Sequence, residues 1–294
     1  MSTDTFRALA IRRSKPRRSI SIPKSLGIGA LVVVSTFSMA SVCGAAVLLT
    51  GAPYSQDFDS LPNSGTSPAW TNDSTLPGWS LFRQPVPGTA VPTIEVGTGS
   101  NNTGSFYSFG SAGSGERALG GVGSGSAYFG SPATATVAGW VAAAFTNDTG
   151  LAIDSFTVSY DGEQWRNGGN TSAQTTVLEY GFGSSFGAVS TWNTPGGSFD
   201  FMSPTVGATA GALDGNAAAN RATGLGGTIS SLAWIDGDTL WLRWIENNDT
   251  GNDHGLAIDN FDLTTTQVPE PSTLVLMLLG ALGGVAAARP FRCR

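Results

Sequence analysis

The central part of this sequence, residues 47–267, has no cysteine and no lysine, and its one histidine is His254. Without a cysteine it can form no disulfide bond and offers no thiol nucleophile, so a buried core must stabilise it. Without a lysine it cannot form a Schiff base with a substrate. A single histidine excludes a zinc site built from several histidines, and a Ser-His-Asp triad would have to use His254.

Cations are also scarce in this part of the chain. It holds 19 acidic residues and five arginines, a formal net charge of −14, whereas the whole chain is at −6 because both of its ends are basic. A strongly acidic surface repels phosphate backbones, which argues against nucleic-acid binding. The composition is typical of an exposed soluble protein or of one that binds divalent cations.

The N-terminal end has the pattern of a secretory signal peptide. Basic residues from Arg7 to Lys24 precede an apolar stretch, Leu26–Leu49, which we expect to be helical. Small residues near its end suit signal peptidase, and we place the cut after Ala45 or Ala46. Residues 1–46 are therefore predicted to be a removable signal; the alternative is an uncleaved anchor.

The C-terminal end has the order of a membrane-sorting segment. Two prolines hold the backbone extended before an uncharged run, Ser272–Ala288, which is at the short end of what crosses about 30 Å of hydrocarbon. The arginines that follow place the chain end in the cytoplasm. This pattern predicts a transmembrane helix; the alternative is a buried C-terminal helix. The turn is Val268-Pro269-Glu270-Pro271-Ser272, and the basic stop is Arg289, Arg292 and Arg294.

Residues 268–294 resemble the PEP-CTERM sorting signal of bacteria that make extracellular polysaccharide. The resemblance rests on Val-Pro-Glu-Pro-Ser, the apolar helix and the terminal arginines. It implies export, transient anchoring in the inner membrane, and cleavage at Pro-Glu-Pro by an exosortase. The product would then lie at the cell surface or in the extracellular matrix.

Residues 47–267 are predicted to form one extracellular all-β domain. Short alternating runs are separated by turn residues, and glycine reaches 40 residues in the chain, which favours a β-sandwich of the jelly-roll or concanavalin-like kind. We expect Gly110–Gly130 to be surface loops around a short Tyr128-Phe129 strand, and Ala208–Ala222 to be a loop. The predicted strands are Ala46–Leu49, Trp79–Arg83, Thr93–Val96, Ser105–Phe109, Thr134–Phe145, Phe156–Tyr160, Thr175–Tyr180, Phe199–Met202, Thr228–Leu232 and Leu240–Ile245.

One sequence pattern occurs twice. Asn147–Phe156 and Asn248–Phe261 both begin with Asn-Asp-Thr-Gly and continue as Leu-Ala-Ile-Asp-x-Phe. The spacing from Ile to Phe breaks the two-residue period, which predicts a bulge at Asp154 and at Asp259. The two copies are predicted to occupy equivalent positions of a pseudo-symmetric sandwich.

Two polar clusters are candidate binding sites. The first, the loop Glu246–Asp253 together with Asp259, is rich in the oxygen ligands that calcium prefers. It lacks EF-hand spacing, and an ordinary turn is the alternative. The second, Asp161–Asn170, could contact a sugar by stacking and hydrogen bonding. Alternatively, a Glu163–Arg166 pair could hold a hairpin there. The predicted calcium ligands are Glu246, Asp249, Asn252, Asp253 and Asp259. The predicted glycan contacts are Glu163, Trp165 and Arg166.

Residues Phe145–Leu263 also resemble an uncharacterised extracellular domain of sorted bacterial proteins. The shared segments are Tyr160–Arg166, Ala212–Asn216, Leu240–Trp244 and Asp253–Asp259. The resemblance implies an accessory or surface role and no catalytic residue. We therefore expect a non-catalytic surface or matrix protein. The alternatives are a module that binds exopolysaccharide, with or without calcium, and a glycan-cleaving hydrolase.

Overall fold

The computed structural model describes residues 46–268, and the predicted signal and sorting segments lie outside this range apart from Ala46 and Val268. The regular secondary structure of the described chain is almost entirely β-strand, as predicted. Its 3-10 helices are Ala127–Phe129, Phe186–Ala188 and Gly197–Phe199. Its strands are β1 Val47–Leu49, β2 Tyr54–Gln56, β3 Trp79–Arg83, β4 Thr89–Ala90, β5 Glu95–Gly97, β6 Ser105–Phe109, β7 Ala118–Val122, β8 Thr136–Asn147, β9 Ile153–Asn167, β10 Thr175–Thr176, β11 Leu178–Phe182, β12 Phe201–Met202, β13 Gly211–Ala212, β14 Arg221–Ile229, β15 Thr239–Asn248 and β16 Gly255–Gln267.

Most strands belong to two sheets. The six-stranded sheet has the order β11-β15-β8-β3-β4, and β1 adds to β8. The eight-stranded sheet has the order β13-β9-β16-β7-β6-β5, with β14 also on β9 and β2 also on β16. A separate pair joins β10 to β12.

A single large aromatic and aliphatic core joins the two sheets. Trp79 and Trp244 of the six-stranded sheet stack with ring centroids 5.7 Å apart, and Phe261 of the eight-stranded sheet lies 5.3 Å from Trp79 and 5.7 Å from Trp244. All three side chains are at most 1% exposed. Two sheets that share one core in this way are consistent with the predicted β-sandwich.

The repeated sequence pattern marks equivalent strands. β8 and β15 are antiparallel neighbours in one sheet, and β9 and β16 are antiparallel neighbours in the other. Each Asn-Asp-Thr-Gly turn therefore follows a strand of the six-stranded sheet and precedes a strand of the eight-stranded sheet. The β9–β16 register shifts at Asp154 and again beside Asp259, where Asn260 adopts φ +46°. Both bulges occur where the Ile-to-Phe spacing predicts them.

The glycine-rich segment differs from its prediction. Instead of loops alone, it contains β7, whose five residues are all buried between β6 and β16. Tyr128 and Phe129 belong to a 3-10 helix and not to a strand. Glycine is needed in β7 because a Cβ on Gly120 would lie 2.0 Å from the carbonyl oxygen of Leu256. Within Ala208–Ala222 the chain is irregular apart from β13 and the start of β14.

Candidate functional site

The predicted glycan contacts are buried in the structure. Trp165 is 1% exposed, and its Nε1 donates a hydrogen bond to Oε2 of Glu163 at 2.9 Å. Arg166 is 8% exposed and donates from Nη1 to the carbonyl oxygens of Gly99 and Ser100 at 3.0 and 3.1 Å. Trp165 therefore presents no free ring face on which a sugar could stack.

The predicted Glu163–Arg166 pair is replaced by a pair across the sheet. Arg221 on β14 lies directly opposite Glu163 on β9 in the strand register. Its Nε is 3.6 Å from Oε1 of Glu163, and its Nη2 is hydrogen-bonded to Asp161. Directly opposite residues on neighbouring strands lie closer together than residues three positions apart along one strand, so the neighbouring strand supplies the partner.

Glu163 belongs to a cluster of three carboxylates. Glu116 precedes β7, Glu163 is on β9, and Asp259 is on β16 beside the bulge. One carboxylate oxygen from each residue lies within 4.8 Å of the other two. Glu163 is 0% exposed and Asp259 is 3% exposed, whereas Glu116 is half-buried and forms the solvent side of the cluster. This carboxylate cluster is the candidate functional site.

Each member of the carboxylate cluster is held by a neutral side-chain donor. Nδ2 of Asn216 donates to Oε2 of Glu116, and Nε1 of Trp165 donates to Oε2 of Glu163. Nδ2 of Asn260 donates to Oδ2 of Asp259 at 3.1 Å. These bonds fix the orientation of all three carboxylates.

Burial makes this cluster electrostatically unfavourable when it is ionised. Loss of hydration, followed by the neighbouring charge of Asp259, raises the pKa of Glu163 to about 8. Loss of hydration, followed by the charge of Glu116, raises the pKa of Asp259 to about 7. Arg221 opposes both shifts but does not cancel them.

The predicted calcium ligands are divided between two places. Asp259 is in the carboxylate cluster, whereas Glu246, Asp249, Asn252 and Asp253 are at the end of β15 and in the turn that follows it. The separation arises because β16 is extended, which carries Asp259 roughly 13 Å beyond Gly255, the first residue of the strand. The structure therefore groups Asp259 with Glu116 and Glu163, and a single calcium site that includes all five residues stays a prediction.

The turn after β15 forms its own acidic group. The backbone N–H of Asp249 donates to Oδ1 of Asp253 at 2.8 Å. The carbonyl oxygen of Asn252 accepts from the side chains of Asn170 and Gln174 at 3.0 and 2.9 Å. Burial, followed by the charges of Asp253 and Asp249, raises the pKa of Glu246 well above its ordinary value. These contacts are those of a well-bonded turn.

His254 is buried and bonded to backbone groups. It is 1% exposed; its Nδ1 accepts from the N–H of Gly168 at 3.0 Å, and its Nε2 lies 3.3 Å from the carbonyl oxygen of Ser172. An accepting Nδ1 requires a neutral ring whose proton is on Nε2. The Gly-x-Ser-x-Gly spacing at 183–187 overlaps a three-residue 3-10 helix, Phe186–Ala188, and does not lead into an α-helix, so it lacks the strand–turn–helix context of a nucleophile elbow.

This bonding predicts a pH-dependent contribution of His254 to stability. Burial lowers its pKa below the ordinary 6.5. The unfolded chain therefore binds the proton more readily, and the contribution is complete above pH 6.5 and decreases as the pH falls. We expect His254→Asn to be less stable than the native chain by about 1–3 kcal/mol at pH 7.5, and this difference to shrink towards pH 5. Denaturant unfolding of both chains across this range measures it; a difference that stays constant with pH would contradict the assignment.

Two members of the site were not predicted from the sequence. Glu116 lies in the glycine-rich segment Gly110–Gly130, whose composition predicts surface loops. It is also far from Glu163 and Asp259 in the chain. Asn216 lies in a segment that resembles other sorted proteins, and this was the one available signal. At the neighbouring Gly215 a Cβ would lie 2.4 Å from the Trp165 ring, so this segment packs tightly over β9.

Of the predicted sorting residues, the structure describes Val268 alone. This residue is 45% exposed, and its N–H donates to the carbonyl oxygen of Ala152 at 2.9 Å. Pro269, Glu270, Pro271, Ser272 and the three terminal arginines lie outside the described residues. Between residues 46 and 268, no helix has the length and apolar character needed to span a membrane.

In a comparison with protein families, residues 267–292 match the PEP-CTERM protein-sorting motif. The motif indicates an exported protein that is anchored in the membrane before an exosortase processes it. Comparison with curated proteins finds no match.

Proposed function

We propose that this protein is a non-enzymatic β-sandwich that acts at the cell surface or in the extracellular matrix after signal peptidase and exosortase have removed its two ends. The observation that carries the proposal is the sorting motif at residues 267–292, which begins at the last residue of β16. The folded domain thus leads directly into the sorting signal without a linker. A jelly-roll or concanavalin-like topology for this domain is part of the proposal.

The burial of the acidic residues supports a role without catalysis. A glycosidase needs two carboxylates that flank a sugar in an accessible cleft. Glu163 and Asp259 come close together, but they are 0% and 3% exposed. A glycosidic bond could not reach a position between these two side chains.

The burial of the tryptophans favours a structural role over carbohydrate binding. Sugar-binding surfaces use exposed aromatic rings, and seven of the eight tryptophans are at most 9% exposed. The remaining one, Trp192, is half-buried, and the guanidinium of Arg243 lies 3.8 Å from its ring centroid. These rings stabilise the fold and leave little aromatic surface for a polysaccharide.

The sorting step can be tested by changing the predicted cleavage motif. We expect replacement of Pro269, Glu270 and Pro271 by alanine to abolish C-terminal processing, because the motif is the predicted recognition element. In a host with an exosortase, the native chain should reach the cell surface or the medium without its C-terminal tail. The altered chain should stay in the membrane fraction with residues 272–294 attached. Intact-mass spectrometry of both fractions measures the difference.

Thr266→Ala is the matched control, because Thr266 is exposed and lies just before the motif. This control should be processed like the native chain. A native product that keeps its tail, or an altered product that loses it, would overturn the sorting part of the proposal.

A further inference from the structure

The carboxylate cluster has unused bonding capacity. Within residues 46–268, Oε1 of Glu116, Oε1 of Glu163 and Oδ1 of Asp259 are buried and have no hydrogen-bond partner. The other oxygen of each carboxylate is already held by Asn216, Trp165 or Asn260. Buried oxygens without a donor are costly, and three in one place require an explanation.

The charge around the cluster is also unbalanced. Arg221 is the cation that forms ion pairs with this group in the described part of the chain, and it is shared between Asp161 and Glu163. Four carboxylates therefore face one guanidinium. Two of them, Glu163 and Asp259, are almost fully buried, where an uncompensated charge is expensive. A bound cation would remove both the unpaired oxygens and the excess charge.

We propose that Glu116, Glu163 and Asp259 together bind a calcium ion. Two oxygens bound to the same calcium ion lie at most about 4.8 Å apart, because each calcium–oxygen bond is about 2.4 Å. The three carboxylates satisfy this limit. An ion would enter from the half-buried Glu116 side, where water can complete its coordination.

The donor set selects a hard cation. All three donors are carboxylate oxygens, while zinc and the softer metals favour nitrogen and sulfur. Magnesium demands near-ideal octahedral geometry and gives up its waters reluctantly, whereas neighbouring side chains already fix the orientation of these three carboxylates. Calcium gives up its water readily and accepts irregular geometry, so it suits this cluster better.

The site joins segments that are distant in the chain. Glu163 is on β9, Asp259 is on β16, and Glu116 is held by Asn216 from the segment that covers Trp165. A calcium ion would cross-link these segments on the outer side of the eight-stranded sheet. The site does not depend on sorting, so its test is independent of the test of the proposed function.

The test is calcium titration of the full-length chain in detergent after treatment with a chelator. We expect one calcium ion to bind per chain by calorimetry. At calcium a hundredfold above the dissociation constant, the melting temperature should rise by about 5–10 °C. Magnesium at the same concentration should give a smaller rise.

Glu163→Gln and Asp259→Asn are the decisive variants. Each keeps the shape of the side chain and removes one charge. We expect both to lose the calcium response and to melt at or above the temperature of the calcium-free native chain, because repulsion within the cluster is relieved. Glu179→Gln is the matched control: Glu179 pairs with Arg243 on the six-stranded sheet, so this variant should keep the full response.

A second measurement, terbium luminescence, tests whether the ion binds near Trp165. Terbium, a luminescent substitute for calcium, should be sensitised by the nearby Trp165, and calcium should displace it. Asp253→Asn tests whether calcium binds instead in the acidic turn after β15. This variant should leave calcium binding intact. Absence of a calcium response in the native chain, its persistence in Glu163→Gln and Asp259→Asn, or its loss in Asp253→Asn would overturn the proposal.

Discussion

Replacing Trp79 with alanine is expected to lower the free energy of unfolding by about 3–5 kcal/mol. Trp79 is 0% exposed, and its ring lies 4.7 Å from Phe58, 5.7 Å from Trp244 and 5.3 Å from Phe261. Its Nε1 also donates to the hydroxyl of Tyr54 at 2.9 Å. Because these partners come from both sheets, the loss of the ring opens a cavity at the centre of the core.

Denaturant unfolding followed by tryptophan fluorescence and circular dichroism measures this loss. Trp192→Ala is the control, because the same side chain is removed from a half-buried position. We expect it to cost about 1 kcal/mol, since Trp192 contacts the guanidinium of Arg243 at 3.8 Å and the ring of Phe186 at 5.3 Å from a position that is only partly buried. Equal losses at the two positions would show that Trp79 does not join the sheets as described.

A second large effect is expected at Gly120, where alanine should destabilise the fold by about 3 kcal/mol. A Cβ there would lie 2.0 Å from the carbonyl oxygen of Leu256 and 2.4 Å from the Cα of Ala257. Both are backbone atoms of β16, which pairs with β7 and β9. They cannot move without breaking the centre of the eight-stranded sheet.

Gly115→Ala is the matched control for Gly120→Ala. It lies in the same glycine-rich segment, no atom lies within 4 Å of a Cβ built on it, and its backbone is not in the left-handed region. Its effect on stability should stay within about 0.5 kcal/mol. Unfolding curves of the two variants beside the native chain test the pair. A mild effect at Gly120 would mean that β7 does not pack as closely as the structure places it.

The contrast between these two glycines explains an error of prediction. Glycine is depleted in strands and enriched in turns, so a segment dense in glycine predicts loops. In β7, however, glycine is required because neighbouring strands leave no space for a side chain. That requirement comes from β16 and from Glu246 on β15, which are distant in the sequence and leave no local trace in it.

The strands themselves were largely predictable. Trp79–Arg83 and Ser105–Phe109 have the bounds that their alternation predicts. The two bulges were visible because the change from a two-residue to a three-residue spacing lies within one short segment. Burial was less predictable at Trp165, because an aromatic side chain beside charged residues has the same local pattern on a surface and in a core.

By itself, the sequence determined the all-β class, the acidity of the central domain, the absence of cysteine from it, and the sorting motif at its end. These properties depend on composition or on contiguous patterns, which need no folded neighbour. Only the tertiary structure brought Glu116, Glu163 and Asp259 within 4.8 Å of one another and separated Asp259 from the acidic turn after β15. Coulomb interactions and desolvation depend on distance and burial in space, and the strand pairing of the eight-stranded sheet sets both.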